Sequence, residues 1–589
     1  MKKLILISLL FFSLVLAFSQ VGVDPTNQFY KHLEKWEAQG IVSNLPPLRP
    51  YPLPVIKEIL NTVISSGNEN QKAQAEELYN LIFEKPFYVD ISGTGNIKFS
   101  DNKNEKQIIG LGGFSGDIAF NSNVSTSYSL NFAATINPDA NVLPTYDTLP
   151  YSFIDSVDIG KIKAFTEMDG MISYSLDNIY AQAGISHNSF GSFYNDGIVL
   201  VPNAKHTVNF SVVINPDTWS YSHAFFVLGA SQNNGNYIYP NKFMSLHSIN
   251  FNPLDWLSFS YYESVVYGDR FDASYFIPMP FMIAQGISGF DDNIMMGVSL
   301  DIKPLPGLLW ATNIFIDDLS LDDIVKFNFD TKIRGALQTG IKYTPLNIPA
   351  WNIINFDYTL ITPYMYSHKQ NITDPLDADN WVVGGADAIN YQAYTNAGKS
   401  LGSQLAPNSD RIALSTNFSP VKGLDIGVRG AFIRHANVNE SLTPEEALVY
   451  LNAPAGYFLT DGSINNHPHY GKSDGTETNY EYIESAKTSF MFMSQDTKMY
   501  IVQAGLDAEY TFPKTKIGTF SVGFGYTFEF IKNWGVQNNM FPGTGIINED
   551  GIWEGTKTLE DVPLAIEAWK SKLKDVTNNI VTLSFKYRY

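Results

Sequence analysis

The side chains with the most chemical potential gather in one stretch of the chain. His247 is followed by Glu263, Tyr267, Arg270, Asp272 and Tyr275, then by Asp292 and Asn293, with Asp317 and Asp318 further on. Carboxylates accept hydrogen bonds from hydroxyls, and aromatic faces cover C–H surfaces, so this mixture suits sugar binding. The same residues could instead form structural ion pairs or an acid–base pair. Asp317, Asp318, Asp322 and Asp323 surround Leu319-Ser320-Leu321. Clustered carboxylates can hold calcium, but the alternating ligands and glycine of an EF-hand loop are missing, so a solvated acidic loop without metal is expected. Lys332, Arg334 and Lys342 share one strand face and make a basic ladder. It could attract a polyanion or balance acids such as Asp507 and Glu509. There is no nucleophile elbow, phosphate loop, redox motif or zinc spacing, and the nine histidines are scattered. No catalytic residue, cofactor or enzyme activity is expected.

The elements that carry these residues are strands. Val581, Leu583, Phe585, Tyr587 and Tyr589 fall on one face of the last ten residues, with Thr582, Ser584, Lys586 and Arg588 on the other. Strand side chains alternate with period 2, so one face is apolar and aromatic while the other is charged. A terminal strand of this kind suits the closing strand of an outer-membrane barrel, facing lipid. Phe520 through Phe530, Ala504 through Phe512, and Val208 through Ile214 repeat the alternation.

Turn chemistry supports the barrel. Proline marks 215–218, 252–255, 303–307, 344–347, 419–423 and 512–515, where it ends pairing and presets the turn. Asn121-Ser122-Asn123 and Leu176-Asp177-Asn178 are further turn candidates. Long segments lie between them: 137–158, 187–205, 268–291, 363–408, 436–497 and 534–577. Short turns on one side and long loops on the other is the outer-membrane arrangement. The spacing predicts a transmembrane antiparallel barrel of about 18 strands over 87–589. Helical stretches within the loops, at Leu442–Leu448 and Thr558–Leu573, could fold over the mouth. Loop aromatics such as Trp381, Tyr391, Tyr394, Tyr470, Tyr480, Trp534 and Trp553 suit sugar surfaces.

The N-terminus reads differently. Lys2 and Lys3 precede an apolar run from Leu4 to Phe18, and Ala17-Phe18-Ser19 offers a cleavage site, so residues 1–19 are expected to be a signal peptide. Residues 20–86 read as a small helical domain on the periplasmic side. Phe29, Leu33 and Trp36 mark its first helix, Val55, Ile59, Leu60 and Val63 its second, and Leu78, Leu81 and Ile82 its third. So small a core should lean on the barrel or on a partner in the envelope. With 14% aromatic and only 17% charged residues, the composition suits lipid contact. A net charge of −20 argues against nucleic acid, and without cysteine there are no disulfides.

The run Glu263-Ser264-Val265-Val266-Tyr267-Gly268-Asp269-Arg270-Phe271, preceded by His247 and followed by Asp292-Asn293 and Asp317-Asp318, resembles the Wzi-type capsule-assembly outer-membrane proteins. Leu48-Arg49-Pro50-Tyr51 is similar to the family's start. A Trp-Gly-Pro-Gly segment of the family is replaced by Asn188-Ser189-Phe190-Gly191-Ser192-Phe193-Tyr194. The resemblance implies an eighteen-stranded barrel with a periplasmic helical part and a lectin-like role in retaining capsular polysaccharide at the cell surface.

Glu263 is anomalous, because strict parity places it with Leu257, Phe259 and Tyr261 on the lipid face. A β-bulge that turns it inward, toward Arg270 or His247, is expected. Two functions remain open. One is a receptor, embedded in outer-membrane lipid, whose loops bind surface polysaccharide; the other is a porin-like channel for small solutes. Loops 363–408 and 436–497 folded inward, with an aromatic patch at the outer mouth, favour the receptor, whereas an open lumen with opposed acidic and basic walls favours the channel.

Overall fold

The computed structural model describes residues 20–148, 156–232, 237–289, 292–319, 325–326, 333–346, 348, 350–368, 389–452, 461–464, 491–547 and 553–589. Residues 1–19, expected as a signal peptide, lie outside the described residues with Asp322, Asp323, Lys332, Trp381, Tyr470 and Tyr480, as do the side chains of Asp318 and Trp553.

Alternation produces the strands that periodicity called for. β1 is Tyr88–Ser100, β2 Glu105–Ala119, β3 Val124–Ile136, β4 Ile162–Leu176, β5 Ile179–Ser186 and β6 Thr207–Ile214. β7 is Trp219–Gln232, β8 Ile238–Leu254, β9 Leu257–Gly268, β10 Asn293–Leu305, β11 Leu308–Leu319 and β12 Ile333–Tyr343. β13 is Trp351–Ile361, β14 Ser409–Val421, β15 Leu424–Ala436, β16 Lys498–Thr511, β17 Thr519–Trp534 and β18 Lys574–Arg588. Each pairs antiparallel with its neighbours, and β18 joins β1 to close the barrel. Closure removes the unpaired edges that an open sheet would expose to lipid.

Phe132, Ile172, Phe251, Phe356, Leu414, Phe524 and Leu583 are exposed on the outer face, where hydrocarbon covers them. On the opposite face of β18, Lys586 pairs with Glu509 at 2.7 Å and Arg588 with Asp90 at 2.7 Å. All the expected tight turns fall at one end of the barrel. Connections at the other end are long with two exceptions, 101–104 and 237 with the few residues before it. The first of these is closed by Asn104, whose side chain accepts from Ser100 N at 3.0 Å, so asparagine rather than proline makes the turn.

The helical part consists of α1 (Gln28–Ala38), α2 (Leu53–Ser66) and α3 (Glu69–Phe83). Phe29, Leu33, Trp36, Ile56, Leu60, Val63 and Leu78 are buried in one core, which also takes Tyr194 from a barrel loop. Leu81 departs from expectation and is exposed, because Leu78 and Ile82, at i and i+4, occupy the inward stripe. The unit docks on the short-turn end. Lys514 meets Glu84 at 2.7 Å, Lys422 meets Glu77 at 3.7 Å, and Gly307 N donates to Ala38 O at 2.9 Å.

Candidate functional site

The residues singled out in the sequence divide between two sides of the barrel wall. β8 and β9 stay in unbroken register from Phe251↔Phe259 to Lys242↔Gly268, so there is no bulge at Tyr261–Glu263. Glu263 therefore keeps the outward parity of Phe259, and the expected inward turn does not occur. Burial comes from the β9–β10 loop, which folds down over the outside of the wall. This flap carries a single 3-10 turn at Ala273–Phe276 and a short helix, α4 (Phe281–Ser288), which ends at Gly289 with φ +73. Only 3% of Glu263 remains exposed. It accepts from Phe281 N at 2.8 Å and from Tyr261 Oη, and it meets His247 Nε2 at 3.3 Å. The Phe281 ring stacks on His247 at 4.2 Å. A carboxylate on a lipid-facing wall is costly, and this set of donors under an apolar cover offsets the cost.

The rest of the motif fastens the flap. Arg270 donates from both Nη atoms to Asp292, at 3.1 and 2.5 Å, and Tyr275 Oη donates to Asp292 at 2.5 Å. Paired guanidinium–carboxylate bonds of this kind are strong and geometrically specific. Asp272 caps the 3-10 turn by accepting from Ser274 N at 2.9 Å, and Tyr267 Oη donates to Asp272 O at 3.3 Å. Tyr267, Tyr275 and Phe281 form a small core of their own with Val265 and Ala284. Ile277, Met282, Ile283 and Ile287 are left exposed, so the flap presents an apolar surface to lipid. Glu263 pairs with His247, as one of the two expectations had it, whereas Arg270 pairs with Asp292.

Asn293 faces the opposite way and holds the lumen contents, donating to Gln392 O at 2.9 Å. Two long loops turn inward. Segment 187–206 leaves β5 and crosses to β14, where Asp196 pairs with Arg411; Gln338 of β12 donates to Asp196 O at 2.7 Å. Residues 362–368, which follow β13, and 389–408, which precede β14, also lie inside the barrel and reach the other side. Lys242 of β8 donates to Ala393 O at 2.7 Å and to Thr395 Oγ1 at 3.0 Å. The loops also bind each other, through Tyr366 Oη to Ile198 O at 2.6 Å and Tyr394 Oη to Val199 O at 2.8 Å. Phe226, Leu246, Tyr262 and Phe315 on the inner wall pack against Phe190, Ile198, Tyr366 and Leu401 of the loops. The barrel interior thus has an apolar core of the kind found in soluble proteins.

Of the basic ladder, Arg334 and Lys342 are described, and both point into this plug. Lys342 is buried against Glu34 of α1, donates to Ser192 O, and lies 5.2 Å from the centre of the Tyr194 ring. Arg334 lies 5.5 Å from the Tyr364 ring. The expected balance with Asp507 and Glu509 is replaced by a tie to the helical unit, and Glu509 takes Lys586 instead. Asp317 stands half-buried at the upper end of β11.

The helical stretches expected in the loops are present as α5 (Pro444–Leu451) and α6 (Asp561–Lys570). Ala447, Leu451, Val562 and Trp569 continue the plug core upward, so the two helices roof the mouth. A groove of about 510 Å³ runs between them, lined by Leu442, Pro444, Glu445, Val562, Ile566 and Glu567. Tyr394, expected as a loop aromatic, is fully buried in the plug.

Sequence reasoning missed α4 and the inward anchors Arg49 and Lys242. Arg49 donates to Gly191 O at 2.9 Å and stacks over Tyr194 at 3.6 Å. A lysine or arginine inside an alternating or apolar stretch was the available signal.

No family profile and no curated sequence matches the chain. Among solved structures, it is similar to Wzi of Escherichia coli, an outer-membrane protein involved in group 1 capsule assembly and described as a carbohydrate-binding β-barrel. The two are 11% identical with a TM-score of 0.50, over 96% of this chain and 99% of that one. OprD of Pseudomonas aeruginosa is 9% identical with a TM-score of 0.39, over 86% of this chain and 94% of that one. The resemblance read from the Glu263–Phe271 motif and the structural likeness meet in one architecture: this chain has the closed eighteen-stranded outer-membrane barrel fold that Wzi has.

Proposed function

We propose that this protein is a plugged, non-enzymatic receptor of the outer membrane that binds exported surface polysaccharide on its loop side. One observation carries the reading: segment 187–206 and residues 362–368 and 389–408 lock together inside the barrel and against α1, through Tyr366, Tyr394 and Lys342. An eighteen-stranded barrel is wide enough for a pore unless something fills it. The lumenal cations Arg411, Lys342 and Arg588 each have a carboxylate partner, and Lys242 donates to Ala393 O, so these charges are tied to the wall or to the plug rather than ranged along an open passage. The fold shared with a carbohydrate-binding barrel supports polysaccharide as the ligand class. With the short-turn end facing the periplasm, the helical unit sits where envelope components could meet it.

The test is single-channel conductance of the refolded full-length protein in a planar bilayer, paired with retention of purified cell-surface polysaccharide on proteoliposomes. Silence in the bilayer together with saturable retention is the expected result. Steady open steps would replace the receptor with the channel, and silence without retention would remove the polysaccharide.

A further inference from the structure

Histidines that are far apart in sequence meet inside the barrel. β5 and β6 are short, and the last pair between β4 and β5 is Gly170↔Ile185. Above it, Glu167 and Asp169 of β4 face inward with no β5 partner strand beside them. The feet of segment 187–206 fill the gap: His187 directly follows β5 and His206 directly precedes β6.

We propose that Asp169, His187 and His206, with Glu167 beside them, form a site for one divalent transition-metal ion of the zinc class. One ligand atom from each of Asp169, His187 and His206 lies within 4.8 Å of the other two. His206 Nδ1 stands 3.4 Å from Glu167 Oε2 and 3.9 Å from Asp169 Oδ1. Ligands on tetrahedral zinc are about 3.3 Å apart at metal–ligand bonds near 2.0–2.1 Å, so small side-chain rotations complete the shell.

Two further observations point to an ion. Asp169 Oδ1 and His206 Nδ1 are both buried without a hydrogen-bond partner, although each is a strong polar atom. His187 Nδ1 lies 3.0 Å from Ala204 O, and a carbonyl can only accept, so Nδ1 carries the proton and Nε2 keeps its lone pair. Imidazoles that ligate metals are oriented by such a second bond. Two imidazoles with carboxylates and no thiolate suit Zn²⁺, and also Co²⁺ or Ni²⁺ as probes. The ion pins both feet of the loop that crosses the lumen to Arg411.

The experiment uses the full-length protein in detergent, stripped with chelator and titrated with ZnCl₂ by calorimetry, with Co²⁺ absorption as a second readout. One ion per chain is expected, with a visible Co²⁺ band. Asp169→Asn and His206→Gln, each checked for the heat-modifiable folded form, should weaken Zn²⁺ binding at least about 100-fold, because loss of an outer-shell partner alone costs ~10–100-fold. His247→Gln, on the outer wall, should bind as the parent does. Absence of saturable 1:1 binding by the parent overturns the site, leaving an imidazole–carboxylate ion pair. Equal binding by parent and both variants overturns it as well, placing the metal elsewhere.

Discussion

Glu34→Gln should loosen the first helix from the barrel without unfolding the barrel. Lys342 is 3% exposed and the Glu34 side chain 10%, so the pair is effectively out of water. Removing one partner from a buried ion pair costs about 3–5 kcal/mol, because the remaining charge stays desolvated. Lys342 keeps Ser192 O and the Tyr194 ring, and ring contacts of this kind are worth ~0.5–2 kcal/mol, which places the loss at the lower end, about 3 kcal/mol. Since each 1.4 kcal/mol is tenfold, the docking equilibrium should shift roughly 100-fold. Hydrogen exchange in detergent, followed on peptides spanning α1, reads this local opening directly, whereas global melting of the barrel would hide it. Exchange over α1 should accelerate roughly 100-fold in Glu34→Gln. Pairing Glu34→Leu with Lys342→Met should recover most of the protection, as apolar replacements often do. Unchanged exchange in the single variant, or a double variant as labile as the sum of its singles, would refute the reasoning.

Other expectations follow from the same structure. Arg588→Ala strands Asp90, which is fully buried beneath it, at a cost of about 3–5 kcal/mol. The heat-modifiable form should therefore be lost at lower temperature than in the parent; an unchanged transition would count against the pair. Arg270→Ala removes both bonds to Asp292, so limited proteolysis should cut within 269–292 while the rest of the barrel stays intact; equal resistance would mean that the flap is held by its apolar contacts alone. Burial presses the His32 imidazole down to about 3, with Lys35 and Lys31 adding to the effect. The unfolded group accepts a proton near 6.5 while the folded one refuses it, so the helical unit keeps its full stability above about 6.5 and loses it as pH falls toward about 3. His32→Leu should flatten that profile, measured by exchange over α1 and α2, and superimposable profiles would contradict it.

The barrel wall was legible because its signals are local. Leu583 and Phe585 alternate with Ser584 and Lys586 in any context, and proline or asparagine at a turn acts within four residues. The short top connection at 101–104 carries no proline; its turn is closed by Asn104. Glu263 is the instructive case. Its outward parity was read correctly, but the bulge invoked to rescue it is absent, and the rescue comes from Phe281 and His247 under a flap that no periodicity announced. Helix α4 follows Pro280 with no side-chain cap, whereas the equally short α5 is announced by the capping box of Thr443 and Glu446.

The strand faces, the turn end, the approximate number of strands and the helical start all rest on spacing within a few residues, and were legible for that reason. Tertiary structure decided which way the loops fold and which partner each buried charge takes. Glu34 and Lys342, Asp196 and Arg411, and His187 with Asp169 meet only after the barrel closes, because nothing local to either residue specifies a neighbour on another strand or helix. Closing the sheet brings distant strands to face one lumen, and the demand that every buried charge find a partner there selects the plug.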